Sequence, residues 1–182
     1  MDRRLDHLAL DDEESGDLTT VVETPRGSRN KYKYDSSCQA LRLGAQLPEG
    51  LAFPFDFGFF PSTLGEDGDP LDVLLLLDTP VPAGCIVTAR LIGVIEVEQK
   101  EGSRPWKRND RFLAVGSHSR NYTGVVGLRD LRPHLLDEIE AFLVHYVTMA
   151  GKKVRIAGRV GPRRARQRLK VGERAWQKKS LH

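Results

Sequence analysis

Apolar positions in the first two thirds of the chain recur with the spacing of short β-strands. The β-branched segment 18–23 (LTTVVE) predicts a strand that stops at Pro25, and the alternating segment 31–35 predicts its hairpin partner. Segment 51–60 is apolar but irregular and strand-like, because Pro54 and Gly58 break any helix there. Further strands are expected at residues 40–43, 72–77, 85–98 and 111–115, with a polar insert at 99–109.

A helical period first appears late in the sequence. Between Pro133 and Ala150, apolar residues recur every three or four positions, which predicts an amphipathic helix. A short strand is expected at 153–157, followed by a basic helix over 163–179 that is interrupted near Gly172. Many short strands followed by one or two helices predict an α+β fold, with a small closed, OB-like β-barrel core and the helices packed outside it.

Charge divides the chain into a flexible acidic arm (residues 1–17), a β-barrel domain (residues 18–160) and a basic C-terminal helix or tail (residues 161–182). From Arg159 to His182 there are nine basic residues and one acid. Such a segment could contact nucleic acid, or form a solvated face that attracts the acidic body or a neighbouring subunit. We favour the second and expect no nucleic-acid partner, because Trp176 is the only aromatic residue there and single-strand binders use several for stacking.

The composition is typical of a folded intracellular protein. A chain of 182 residues with 40% hydrophobic and 29% charged residues suits one domain with a sizeable core. The longest apolar run, Val73–Leu77, is far shorter than the roughly 20 residues of a membrane helix, and the start of the sequence lacks the apolar core of a secretory signal. Cys38 and Cys85 could form one disulfide, but two buried thiols in a reducing cytosol fit better. A cytoplasmic location without membrane contact is expected.

Three carboxylates, Asp67, Asp69 and Asp72, fall within six residues where a turn becomes a strand. Residues two apart on an extended chain share a face, so Asp67 and Asp69 are expected to point the same way. Pro70 favours an extended Asp69, and Asp72 can join the same face if the turn kinks the chain. Carboxylates this close together repel one another, and a bound divalent cation would relieve the repulsion. Their oxygen ligands suit Mg²⁺, Mn²⁺ or Ca²⁺.

Simpler interpretations of this acidic segment remain open. It could be an exposed acidic turn, or Asp72 could cap a local turn. A helix–loop–helix Ca²⁺ site does not fit, because it needs Gly and Glu where Asp72 and Asp78 stand. The apolar run 73–77 follows at once and favours a functional site, since it would fix the carboxylates at the rim of a rigid element.

The segment Glu66–Leu74 closely resembles the signature of soluble family I inorganic pyrophosphatases, D-[SGDN]-D-[PE]-[LIVMF]-D. The likeness extends from roughly Thr20 to Gly158 and keeps the order and spacing of the family's motifs. Its other parts are Val22–Pro25, Asn30–Tyr32, Phe53–Phe59, Pro82–Gly84, Leu91–Val94 and His145–Tyr146.

This resemblance implies hydrolysis of pyrophosphate to two phosphates, with Mg²⁺, or Mn²⁺, activating water and neutralising the phosphoryl oxygens. It implies two catalytic roles: Asp69 accepts the proton of the attacking water, and Tyr146 donates a hydrogen bond to the leaving phosphate. It also implies that the substrate is bound by Lys31, Tyr146 and Arg111. The implied metal-binding residues are Asp67, Asp69, Asp72, Asp110 and, through metal-bound water, Glu23. A homo-oligomer is also implied.

The candidate site departs from the family pattern at several positions. By the resemblance, Lys33 stands in place of a glutamate and so reverses a charge, Ala45 replaces an arginine, and Val147 replaces a lysine. Phe53 and Phe57 replace tyrosines, and two metal-binding aspartates fall near Gln99 and Asn109. Arg42 could substitute for the missing arginine, and Asp110 or Glu101 for the missing aspartates. Each lost group could cost on the order of 10²-fold in turnover.

Two functions therefore stay open. The first is a Mg²⁺-dependent diphosphatase, slow or altered in metal number or substrate. The second is a catalytically retired relative that serves as a phosphate-binding, regulatory or assembly module. Apart from the resemblance, Tyr146 could equally be a core side chain and Lys31 a plain surface residue. We favour the enzyme, because Asp67, Asp69 and Asp72 form the minimal ligand-plus-base set for metal-assisted hydrolysis.

Overall fold

The structure, a computed structural model, describes residues 4–181. The first three residues of the predicted acidic arm and the last residue of the predicted basic tail lie outside this described range. Nine strands and two α-helices follow one another between residues 4 and 181. They are β1 (Leu18–Thr24), β2 (Asn30–Asp35), β3 (Ala40–Gln46), β4 (Asp56–Phe59), β5 (Asp72–Leu76), β6 (Ile86–Lys100), β7 (Lys107–Arg108), β8 (Arg111–Gly116), α1 (Leu135–Met149), β9 (Lys153–Val160) and α2 (Pro162–Ser180).

Seven of the strands form one mixed sheet, and with the two helices this gives an α+β fold. The order is β1-β4-β5-β8-β6-β7, β9 pairs with β6, and β1 pairs with β6 as well as with β4. The pair β5–β8 is parallel, whereas the other pairs are antiparallel. Strands β2 and β3 form a separate hairpin. Because β5 lies between β4 and β8, the acidic segment at its start is anchored to fully buried strands.

The long strand β6 corrects the predicted polar insert at 99–109. Instead of ending at Glu98, β6 continues to Lys100, and part of the insert forms β7. The strand continues because Glu98, Gln99 and Lys100 pair with β9, and the first two of them also pair with β7. Their polarity indicated a loop, but it is also compatible with a strand whose side chains are half exposed.

Both helices are present, and α2 differs from its prediction. The buried residues of α1 are Leu135, Ile139, Leu143 and Val147, which confirms the helical period. Helix α2 runs without a break through Gly172, where an interruption was predicted. A Cβ at Gly172 would lie 2.5 Å from Cδ1 of Leu71. Gly172 therefore permits a close approach between α2 and the segment before β5, instead of ending the helix.

The described part of the acidic arm contacts the sheet region and α2. Leu10 is buried, and the Ser62 hydroxyl donates a hydrogen bond of 2.8 Å to the Leu8 carbonyl. Asp11 forms an ion pair with Arg166 of α2. The basic helix and the acidic arm thus attract each other within one chain, in agreement with the favoured interpretation of the charge pattern.

The expectation of two buried thiols is wrong. Cys38 is exposed and Cys85 is half buried, and both are free. The reason is their location, since Cys38 lies in the turn between β2 and β3, and Cys85 lies just before β6. Among residues 4–181, no helix has the length and apolar character needed to cross a membrane.

Candidate active site

Seven of the eight predicted site residues meet at a cavity of about 630 Å³, called here the site cavity. It lies where the start of β5, the strand β2 and the start of β8 face α1. The predicted residues that line it are Glu23, Lys31, Asp67, Asp69, Asp72, Arg111 and Tyr146. Lys33, Phe57, Gln99, Asn109 and Val147, at positions where the family pattern is changed, line it as well. Residues far apart in sequence therefore share one surface.

The acidic segment is shaped by a tight turn followed by a buried strand. The Gly65 amide donates to the Asp69 carbonyl at 2.7 Å, and the Gly68 amide donates to the Gly65 carbonyl at 3.1 Å. Gly68 has a φ of 93°, a conformation that favours glycine. Directly after the turn, Asp72 begins β5, whose remaining residues are buried. This arrangement fixes Asp69 and Asp72 at the rim of the sheet.

Two of the three aspartates are paired with cations of the chain itself. The Lys33 ammonium donates to both carboxylate oxygens of Asp69, each at 2.7 Å. Nη1 of Arg111 lies 2.8 Å from Oδ2 of Asp72. Asp67 has no ion-pair partner among residues 4–181. The lysine pair is half exposed, whereas the Arg111 side chain is only 4% exposed, so the second pair is the more rigid one.

Within residues 4–181, two acids of the cavity, Glu23 and Asp67, form no ion pair, and the pKa of each is raised. Burial, with a smaller contribution from the charge of Asp72, raises the pKa of Glu23 to about 7, although the Tyr34 amide donates to its Oε1 at 2.6 Å. Burial and then the charge of Asp72 also raise the pKa of Asp67. Burial opposes the charged form of Lys33, but the hydrogen bond to Asp69 and the charges of Asp69, Glu23 and Asp67 together outweigh it and raise the pKa of Lys33. The unpaired acids therefore favour an additional cation.

Another part of the cavity lining combines a cation with aromatic rings. Nζ of Lys31 lies 5.2 Å from the ring centroid of Tyr146 and 5.6 Å from that of Phe57. The Tyr146 ring also packs against Phe53 and Phe142, with centroids 5.6 and 5.8 Å apart. Tyr146 is thus both a core contact and part of the cavity lining. Lys31 faces the cavity and is not a plain surface residue.

Asp110 is the one predicted site residue that the structure does not bring to the cavity. It is 6% exposed, its Oδ1 accepts the Val97 amide at 3.1 Å, and its Oδ2 accepts Nη1 of Arg168 at 2.5 Å. Its neighbour Arg111 points into the cavity instead, since consecutive residues of an extended chain face opposite sides. Asp110 therefore anchors α2 to the sheet.

The proposed substitutes for missing site residues also lie elsewhere. Arg42 pairs with Asp35, and Glu101 pairs with Arg104 at 3.5 Å, and neither Arg42 nor Glu101 lines the cavity. The sequence interpretation recorded Lys33 as a reversed charge but missed its contact with Asp69. The sequence did indicate that Lys33 lies at the site, because Lys31 and Lys33 are two apart on one strand and so share a face.

Known proteins of similar sequence are inorganic pyrophosphatases. The family model for inorganic pyrophosphatase matches residues 20–177. The chain is 37% identical over 144 residues to an inorganic pyrophosphatase of Synechocystis, covering 79% of this chain and 82% of that one. It is 40% identical over 129 residues to one of Corynebacterium efficiens, covering 71% and 78%.

Solved structures of inorganic pyrophosphatases are similar to this fold over almost the whole chain. The inorganic pyrophosphatase of Thermus thermophilus superposes with a TM-score of 0.85 at 29% identity, covering 96% of this chain and 99% of that one. That of Neisseria gonorrhoeae superposes with a TM-score of 0.84 at 30% identity, covering 93% and 96%. The match extends beyond the predicted Gly158 into α2. The resemblance seen in the acidic segment is confirmed over most of the sequence, and the chain belongs to the inorganic pyrophosphatase family.

Proposed function

We propose that this protein is an inorganic diphosphatase that hydrolyses pyrophosphate to two phosphates with Mg²⁺. The main support is the site cavity of about 630 Å³, which is lined by the three carboxylates Asp67, Asp69 and Asp72 and also by the cations Lys31 and Arg111. Carboxylates can hold a divalent cation, and the basic side chains suit phosphoryl oxygens. Relatives at 37–40% identity are named inorganic pyrophosphatases.

The carboxylates of the site cavity suit Mg²⁺ bound together with water and substrate. No group of three or more acidic, His or Cys side chains within residues 4–181 forms a ready metal cage. Mg²⁺ needs none, because it keeps several waters and is commonly bound by one or two carboxylates together with substrate phosphates. Asp67 and Asp72 would hold it here, and Mn²⁺ would fit the same oxygen donors. When bound, the ion would neutralise phosphoryl oxygens and lower the pKa of bound water.

The chain's own residues have separate tasks in this proposal. Asp69 accepts the proton of the attacking water once Lys33 has released at least one of its oxygens. Lys31 and Arg111 bind phosphoryl oxygens, and the Tyr146 hydroxyl donates to the leaving phosphate. Glu23 orients water, with its carboxylate held in place by the Tyr34 amide. Positioning and charge stabilisation are the main contributions in phosphoryl transfer.

We propose the wider organisation from the same observations. Pairing of β1 with both β4 and β6 supports closure of β1, β4, β5, β8 and β6 into an OB-like barrel. Residues 1–17 would serve as the acidic arm, residues 18–160 as the pyrophosphatase-like domain and residues 161–182 as the basic helix or tail. Two free thiols support a cytoplasmic location. The protein would form a homo-oligomer and would have no membrane or nucleic-acid partner.

Phosphate release from pyrophosphate in the presence of Mg²⁺ tests the enzyme. Asp69→Asn should lower turnover on the order of 10²-fold or more, because the amide cannot accept the proton. Asp137→Asn is the matched control, since Asp137 lies on α1, outside the site cavity, and pairs with Arg159. Release by the unchanged protein no faster than in buffer, with Mg²⁺ and with Mn²⁺, would refute the proposal.

The ion pair Lys33–Asp69 favours a second candidate, a phosphate-binding protein that no longer hydrolyses pyrophosphate. Lys33 occupies both oxygens of the proposed base, and Gln99 and Asn109 stand where the family has metal-binding aspartates. Calorimetry separates the two candidates. Pyrophosphate binding that depends on Lys31, without any phosphate release, would establish the second one.

A further inference from the structure

Lys33 contacts Asp69 in the way a bound cation would. Its ammonium lies 2.7 Å from each carboxylate oxygen, so neither oxygen is open to a second positive group from that side. A Mg²⁺ ion on Asp69 would require one of these oxygens at about 2.0–2.1 Å. Because Lys33 contacts both oxygens, a metal ion could bind Asp69 only by displacing it, whereas the contact of Arg111 with Asp72 is to Oδ2.

The location of Lys33 makes this contact a built feature of the fold. Lys33 lies in the middle of β2, where it pairs with Arg42 of β3. The next residue, Tyr34, is buried and donates its amide to Glu23, which anchors the strand to β1 beside the cavity. The backbone of β2 therefore holds Lys33 within reach of the acidic turn.

The two ion pairs of the site differ in how readily they can be exchanged. Arg111 is nearly buried, and its guanidinium also donates to the Asn109 carbonyl at 2.7 Å, so it remains on Asp72. Lys33 and Asp69 are 53% and 46% exposed, so this pair is held less firmly by its surroundings than the pair of Arg111 and Asp72. Lys33 is thus the cation whose removal would open a carboxylate to a metal ion.

We propose that Lys33 is a resident counter-cation that takes the place of a divalent cation at Asp69. The wild-type site then binds its divalent cation at Asp67 and Asp72 only, and Asp69 gains metal when residue 33 loses its charge. This inference rests on the proposed use of Mg²⁺, but it concerns metal binding and not turnover.

Mn²⁺ binding to the metal-stripped full chain, counted by electron paramagnetic resonance, tests this directly. Lys33→Gln should bind an additional Mn²⁺, or bind Mn²⁺ on the order of tenfold more tightly, because a positive charge next to Asp69 is lost. Lys33→Arg should behave as wild type. Arg42→Gln is the matched control: it removes a charge from the opposite residue of the hairpin, but its partner is Asp35.

Equal Mn²⁺ binding by wild type and Lys33→Gln would overturn the inference, and so would equal gains in Lys33→Gln and Arg42→Gln. Asp69→Asn gives an independent measurement. If Lys33 already keeps metal from Asp69, this variant retains the Mn²⁺ count of wild type, whereas a lost Mn²⁺ overturns the inference. Phosphate release is measured separately, so failure of the proposed hydrolysis is distinguishable from failure of the counter-cation.

Discussion

Glu23 should make the stability of the metal-free protein depend on pH. Its side chain is 7% exposed, and burial, with a contribution from Asp72, raises its pKa from 4.5 to about 7. At about 1.4 kcal/mol for each pH unit, this difference corresponds to roughly 3 kcal/mol. That is the order of magnitude by which an ionised Glu23 destabilises the folded state.

The direction follows from proton binding in the two states. An unfolded chain loses the Glu23 proton near pH 4.5, whereas the folded chain keeps it up to about pH 7. Between these values the folded state binds more protons, so this carboxyl lowers the free energy of unfolding as pH rises. Glu23→Gln removes the titration but keeps a side-chain oxygen that can accept the Tyr34 amide. The free energy of unfolding of the variant should equal that of wild type near pH 4 and exceed it by up to roughly 3 kcal/mol above pH 7.

Urea unfolding in EDTA between pH 4 and pH 8 measures the difference between the two proteins. Glu138→Gln is the matched control, because Glu138 is an exposed acid whose pKa is lowered by a hydrogen bond from Arg132. Glu138→Gln should lower the free energy of unfolding at neutral pH, and this loss should become smaller at low pH. The trend with pH is therefore opposite to that of Glu23→Gln. A difference between Glu23→Gln and wild type that stays constant with pH would refute the reasoning. Mg²⁺ should reduce the difference, since a nearby cation stabilises the ionised form.

Two further variants test the scaffold around the site. Gly58→Ala would put a Cβ 2.0 Å from a backbone oxygen of β1, so a loss of at least about 2 kcal/mol is expected in urea unfolding. Gly124→Ala, with nothing within 4 Å of its Cβ, is the control, and an equal effect of both would contradict the packing argument. Arg168→Met should cost about 1–3 kcal/mol, because it removes the cation from the buried Asp110. Unchanged stability of this variant would show that the ion pair does not anchor α2.

The parts of the fold that sequence predicted well are those in which local pattern and burial agree. Helix α1 follows from its period because its apolar stripe is the face that packs on the core. At Gly172 the local pattern was misleading. A glycine within a helix usually lowers helix stability, but here the approach of Leu71 requires one, and that contact depends on tertiary structure.

The candidate site was predictable where it is local in sequence and not where it depends on register. Asp67, Asp69 and Asp72 lie within six residues, so a short motif identified them together. The contact of Lys33 with Asp69 joins residues 36 apart and needs the placement of β2 over the acidic turn. Asp110 was assigned to the cavity together with its neighbour Arg111, although alternation along a strand argues against two consecutive residues sharing a site.

The substitutions at the family's site positions change the charge in both senses, but their sum has one direction. Relative to the family pattern implied by the resemblance, Lys33 reverses a negative charge and Gln99 and Asn109 each remove one, whereas Ala45 and Val147 each remove a positive charge. The net change makes the site more positive by the charge of one divalent cation. A site that loses metal ligands without such compensation would leave pyrophosphate poorly neutralised, and phosphoryl transfer depends mainly on that neutralisation. The changes are therefore better explained as a shift of positive charge from bound ions to side chains than as unrelated losses, and this favours a site that still binds pyrophosphate.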